Sequence, residues 1–311
     1  TNNGSVNSSV NTGPGLITVQ STGNLAIPVV SNFDVSPTSA AGNGGTINIF
    51  AKSGTLSMGN GSINANGKVT GTGGAITIDA QSVTIAGGAP LNLNANAAGA
   101  VGGAAQLGGT ILVNASGTTG DLSAGGAGAF TASATGAGDG GKGGTVTLSA
   151  GRNLSLAGAG VINVGATGNN GGGGTINLSA SNNAAANGTL TSTAILSANG
   201  KGTGAGGAIN ITNNSNAVTA IVLSSAISAD GGATGAGGSV NITGLGRGGS
   251  NGGMDISSSI SALSASAATG GTVTIDAGGG TPGNITLAST SIDTSSTTGS
   301  GSAINITAKD I

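Results

Sequence analysis

The chain has 311 residues, 66 of them glycine, with 5% charged and 1% aromatic side chains and a formal net charge of −2. Regularly spaced aliphatics on a nearly neutral chain argue against disorder, glycine without a three-residue period argues against collagen, and no apolar run is long enough for a membrane-spanning helix. Cys, His, Trp, Tyr and Glu are absent, which removes disulfides, zinc sites of the usual kind and imidazole-based catalysis.

In chain order, residues 1–15 read as a leading segment with no signal peptide, and residues 16–311 as repeats of a single domain. The first residue is Thr rather than Met, so a mature or excised product is expected. The first repeat opens with LITVQ at Leu16. After it the phrase Gly-Gly-(Thr/Ala/Ser)-apolar-x-apolar returns as GGTINI at Gly44, GGAITI at Gly73, GGTILV at Gly108, GGTVTL at Gly143, GGTINL at Gly173, GGAINI at Gly206, GGSVNI at Gly237 and GGTVTI at Gly270. The first apolar residues are Ile17, Ile47, Ile76, Ile111, Val146, Ile176, Ile209, Val240, Val273 and Ile304, spaced 29 to 35 residues apart. A period of this length marks a supersecondary unit that buries its apolar face only by stacking on its neighbours.

Within each repeat the alternation has the period of a strand with one buried face. Ile47, Ile49 and Ala51 point inward and Thr46, Asn48 and Phe50 outward, and the inward triplet returns as Ile76/Ile78/Ala80 through Val273/Ile275/Ala277. A second short strand follows at Thr55–Met58, Val83–Ile85, Leu154–Leu156, Leu190–Thr191, Val222–Leu223 and Ile285–Leu287. A third lies at Ile63–Ala65, Leu91–Leu93, Ile162–Val164, Ile195–Ala198, Ile227–Ala229 and Ile260–Ala262, before a Gly-rich loop. Glycine is expected at the corners for positive φ, with Asn tolerating the same conformation in the loops. The stretch Gly244–Gly253 interrupts its repeat and reads as a bulging loop, with a ligand loop as the functional alternative.

The pattern predicts an all-β fold, a right-handed parallel β-helix of about ten turns with three short strands per turn. The hand follows only from the crossover rule. At the inter-strand spacing of a sheet such a rod is about 45–50 Å long. Neither end looks capped, so the chain is expected either to belong to a longer stalk or to stack head to tail with copies of itself into a filament.

The stretches GNGGTINIFAKSGTLSMGNGSINANG at 42–67 and GGTVTLSAGRNLSLAGAGVINVGATG at 143–168 resemble the repeats of filamentous-haemagglutinin-like exoproteins, secreted bacterial adhesins of the two-partner type. The resemblance runs from about Leu16 to Ile311. It implies a right-handed parallel β-helix, export to the cell surface or beyond, and an extended stalk used in adhesion, aggregation or biofilm matrix. The partners implied are the chain itself and a cell surface or extracellular matrix, with no membrane insertion.

The seven basic residues do not cluster, so nucleic-acid binding is not expected. An enzyme is not expected: glycoside hydrolysis needs two flanking carboxylates, and Asp79 and Asp276 share a strand position six turns apart, while Asp139, Lys142 and Asp255 read as solvated loop charges. Calcium in the repeat loops is not expected, because only Asp139 and Asp230 fall there; no metal or other cofactor is expected. The Asn-x-Ser/Thr sequons, Asn153 and Asn284 among them, are what an Asn/Thr-rich strand yields by chance. The alternative function is an ice-binding or other lattice-binding face. Its candidate residues form an outward ladder of Thr46, Asn48, Thr77, Thr145, Thr147, Thr175, Asn177, Asn210, Asn241, Thr272, Thr274 and Asn305, interrupted by Leu112. The plainer reading of the same columns is polar strand-formers facing solvent, with Asn ladders supporting the stack.

Overall fold

A computed structural model of the chain describes residues 6–7, 14–38, 41–85, 90–100, 103–125, 130–158, 160–182, 187–215, 217, 219–245, 252–278, 283–288 and 290–308. Among these residues there is no helix, and every strand pairs in parallel within one continuous sheet that winds into a β-solenoid.

Ten first-face strands stack in unbroken register. Ile17, Ile47, Ile76, Ile111, Val146, Ile176, Ile209, Val240, Val273 and Ile304 stand in one column, as the repeat predicts. The closed, regular turns are nearer eight than the ten expected. Those opening at Thr46, Ala75, Thr110, Thr145, Thr175, Ala208, Ser239 and Thr272 carry strands on all three faces. The turn opening at Leu16 is irregular, with a register shift between Val30 and Phe33, and Ile304–Thr307 opens a turn that the described residues do not complete.

The core is a narrow aliphatic column. Ile47, Ile49 and Ala51 are fully buried, as are Val146, Leu148 and Ala150, because alternate side chains of a strand point to opposite faces. Each fully buried Val, Leu or Ile contributes about 1.5–3 kcal/mol, and the buried cluster runs without a break from Ile17 to Ile285. The second face stacks Leu56, Val83, Leu122, Leu154, Leu190, Ile221, Met254 and Ile285. Six strands escape the sequence reading: Val6–Asn7, Leu25–Asp34, Leu122–Ala124, Phe130–Ser133, Ile292–Asp293 and Met254–Ile256. The last of these moves Asp255 from the expected loop to an outward strand position. In Ile195–Ser197 it is Leu196 that is buried, whereas Ile195 is 44% exposed.

The expected positive φ is found at glycines of the Gly-rich loops, but the repeated glycine pairs have a different reason. Among the described glycines, positive φ occurs at Gly61, Gly138, Gly140, Gly158 and Gly202, none of them in the repeated pair. What requires glycine there is close approach of backbones. A Cβ on Gly173 would lie 1.9 Å from the carbonyl oxygen of Ala198, and one on Gly174 would lie 2.1 Å from that of Gly144. The carbonyl at the end of the third strand needs that room, because it accepts the N–H of the next turn's second glycine: Gly207 N–H donates to Ala198 O at 2.7 Å. Asn does tolerate the left-handed region, as expected, at Asn170 with φ 58°.

The disrupted stretch at Gly244–Gly253 keeps Gly244 in the first-face strand and Gly252 and Gly253 buried before Met254. Its middle, 246–251, lies outside the described residues, and with it the expected bulge and the ligand-loop reading.

Candidate functional site

All twelve candidate ladder residues lie on the outward side of the first face, in two columns. Asn48, Thr77, Leu112, Thr147, Asn177, Asn210, Asn241, Thr274 and Asn305 form one continuous column. Thr46, Ala75, Thr110, Thr145, Thr175, Ala208, Ser239 and Thr272 form the column beside it. The turns are about 4.8 Å apart, so equivalent side chains touch.

The amides use that contact on one another. Asn241 Nδ2 donates to Asn210 Oδ1 at 3.0 Å, Asn210 Nδ2 to Asn177 Oδ1 at 2.9 Å, and Asn177 Nδ2 to Thr147 Oγ1 at 3.3 Å. The chain of donors runs in one direction across four turns. An amide bonded along the stack has less capacity left for an external lattice. Leu112 sits 38% exposed between Thr77 and Thr147 and cuts the column.

Two further polar ladders were not identified from sequence. At the corner after the third strand, Asn66 Oδ1 accepts the N–H of Asn96, Asn96 Oδ1 that of Thr135, Asn199 Oδ1 that of Asp230, and Asp230 Oδ1 that of Leu263, at 2.8 to 2.9 Å. Each side chain reaches one turn forward to a backbone donor that the corner leaves out of the sheet. The signal was present in the Ala-Asn or Ala-Asp that closes INANG, LNANA, SANG and SADG, Asp230 being a ladder member and not a spare acid. The second ladder precedes the second face. Asp121 Oδ1 accepts the N–H of Asn153 at 3.1 Å, and Asn153 Oδ1 that of Thr189 at 2.9 Å.

Asp121 also meets Arg152 from the next turn, with Nε on Oδ1 at 2.9 Å and a terminal guanidinium nitrogen on Oδ2 at 2.5 Å. The hydrogen bond from Arg152 holds the Asp121 carboxyl below its ordinary range, helped by Asn153 and opposed by partial burial. Asp293 is lowered too, by hydrogen bonds from Ser295. Finding the Asp121–Arg152 pair from sequence required the register of Leu122–Ala124, which the repeat pattern did not provide.

Asp79 and Asp276 occupy one outward column, six rungs from each other, which at about 4.8 Å per rung is about 29 Å. Asp79 Oδ1 accepts from Asn114 Nδ2 at 3.0 Å. Among the described residues no three Asp side chains gather as a metal-binding group, and no helix is long and apolar enough to cross a membrane. Two shallow troughs lie over the glycine pairs. One, of about 390 Å³, is floored by Gly44, Gly45, Gly73, Gly74, Gly108 and Gly109. The other, of about 350 Å³, is floored by Gly173, Gly174, Gly206 and Gly207 and rimmed by Lys142.

No family model, curated protein or solved structure matches the chain.

Proposed function

We propose that the chain is a structural and adhesive rod of the extracellular space: a stalk or filament segment that serves in cell adhesion, aggregation or biofilm matrix. The observation that carries this reading is the stack itself. Polar side chains on the first face and at two corners bond from turn to turn, so the material is used to hold a regular rod together. No catalytic step and no cofactor is assigned to it. The order of the repeat phrases supports kinship with the filamentous-haemagglutinin-like exoproteins, and secretion to the cell surface is part of the same proposal.

Self-association belongs to it as well. The outer edge of Ile304–Thr307 has no partner strand among the described residues, and Ile304 is 45% exposed. An open parallel edge is a template for one more rung, supplied by further chain or by a second copy. The function is tested by coating a surface with purified protein and counting adherent cells, or by following aggregation of cells that display it. We expect adhesion or aggregation above that of an unrelated β-solenoid of equal size; equality with that control overturns the adhesive reading.

The lattice-binding alternative rests on the registered Thr and Asn columns. It stands second because the amides bond along the stack and Leu112 breaks the array. A thermal-hysteresis assay decides it, with no activity expected.

A further inference from the structure

Asn213 departs from the repeat in which it sits. The inward position that closes the first-face strand is a buried alanine at Ala51, Ala80, Ala115, Ala150, Ala180 and Ala277, and Asn213 occupies the same place with 0% exposure. An amide thus stands where those six turns keep a methyl group, and a buried polar group left without a partner destabilises the fold.

Half of the amide is accounted for. Nδ2 donates to the carbonyl of Gly188 in the preceding turn at 3.1 Å and to that of Ala220 in its own turn at 2.5 Å. Both partners are acceptors, so the amide has only one sensible orientation: turning it over sets Oδ1 against two carbonyl oxygens. Oδ1 therefore faces the other way, fully buried and without a partner.

Further acceptor oxygens lie buried among the described residues of this corner. Gly244 stands opposite Asn213 in the next turn. The position a Cβ on Gly244 would take lies 2.4 Å from the carbonyl oxygen of buried Gly252. No described donor reaches that oxygen. The neighbouring Asn214 Oδ1 is a further buried oxygen without a partner. Acceptor oxygens collected out of solvent need a molecule that brings hydrogens to them. Buried water makes about three such bonds. None of these groups is charged, so a cation there has no counter-charge to offset its desolvation.

We propose that the corner between the Ala208 and Ser239 turns is an internal hydration site, in which a long-lived water donates to Asn213 Oδ1 and to a neighbouring carbonyl oxygen. The site replaces a methyl-lined corner by a hydrated one at a single level of the rod.

The test is an atomic-resolution crystal structure of the whole chain, paired with water relaxation dispersion on the wild type and on Asn213→Ala. We expect an ordered water at hydrogen-bond distance from Asn213 Oδ1 and one fewer long-lived water in the variant. An Oδ1 with no water beside it, a rubidium ion found there by anomalous scattering, or an unchanged number of long-lived waters overturns the proposal. Should Asn213→Ala not fold, Asn213→Ser takes its place in the relaxation comparison, and the wild-type density decides independently.

Discussion

At the scale of single residues, glycine carries two different burdens that substitution separates. A Cβ on Gly174 would lie 2.1 Å from a backbone oxygen that has no freedom to retreat, whereas one on Gly125 would have only Ala157 Cβ near it, at 3.5 Å. We expect Gly174→Ala to destabilise by at least the upper end of the about 1–3 kcal/mol typical of overpacking. Gly125→Ala should be neutral or stabilising by up to about 1 kcal/mol through the unfolded chain. Denaturant titration of the two variants checks the contrast, and equal effects contradict it. The Asp121–Arg152 pair sets a pH dependence. Its carboxyl is lowered in the folded state, so its stabilisation is present above the unfolded Asp value of about 3.9 and is lost as pH falls through the still lower folded value. The partners are 35% and 40% exposed, so the contribution is modest and salt-sensitive. Thermal midpoints of wild type and Asp121→Asn should differ at pH 6 and begin to converge only below the ordinary Asp value, as pH falls through the lowered folded one, and a gap that persists in strong acid removes this assignment.

At the scale of the element, the strand of one turn means little without those on either side. Ile211, fully buried, lies between Leu178 and Ile242 in the first-face stack. Truncation to Ala should cost about 2–5 kcal/mol. In a stack whose coupling is between neighbours, the loss should be felt mainly in the adjoining turns. Hydrogen exchange should quicken in the Thr175, Ala208 and Ser239 turns and stay slow at the Thr46 turn, and uniform loosening contradicts nearest-neighbour coupling. The same dependence explains what the sequence discloses. First-face strands are legible because Gly-Gly fixes the start and two aliphatics with a small residue fix the face. Leu122–Ala124 and Phe130–Ser133 are not, since each has a single large apolar residue and owes its strand to the turns beside it. The outward columns could be written down from the repeat alone, but the direction of the amide chain through Asn177, Asn210 and Asn241 could not. The corner ladder through Asn199 and Asp230 depends on a backbone N–H one turn away, a relation that no local pattern encodes. The glycine pairs were legible as a motif but their reason was not, because contact with a neighbouring turn, and not a local dihedral, makes them necessary.

At the scale of the whole molecule, ten first-face strands at about 4.8 Å make a rod about 43 Å long, thin in the core and almost free of aromatic rings. Stability is distributed over a continuous backbone ladder, side-chain ladders at the corners and many small aliphatic contacts, and the surface is mostly short polar side chains. The troughs over the glycine pairs are open and floored by backbone. The stack of parallel turns ends at Ile304–Thr307, which has no outer partner strand among the described residues, and the proposed self-stacking predicts that this edge accepts a rung from a second copy. Cryo electron microscopy of the purified chain over a concentration series tests it most directly. The account expects slender rods with a rise near 4.8 Å between turns, lengthening into fibres with an axial repeat of about one subunit as concentration rises. Compact particles without that spacing contradict the fold, and rods that never lengthen at any concentration contradict self-stacking.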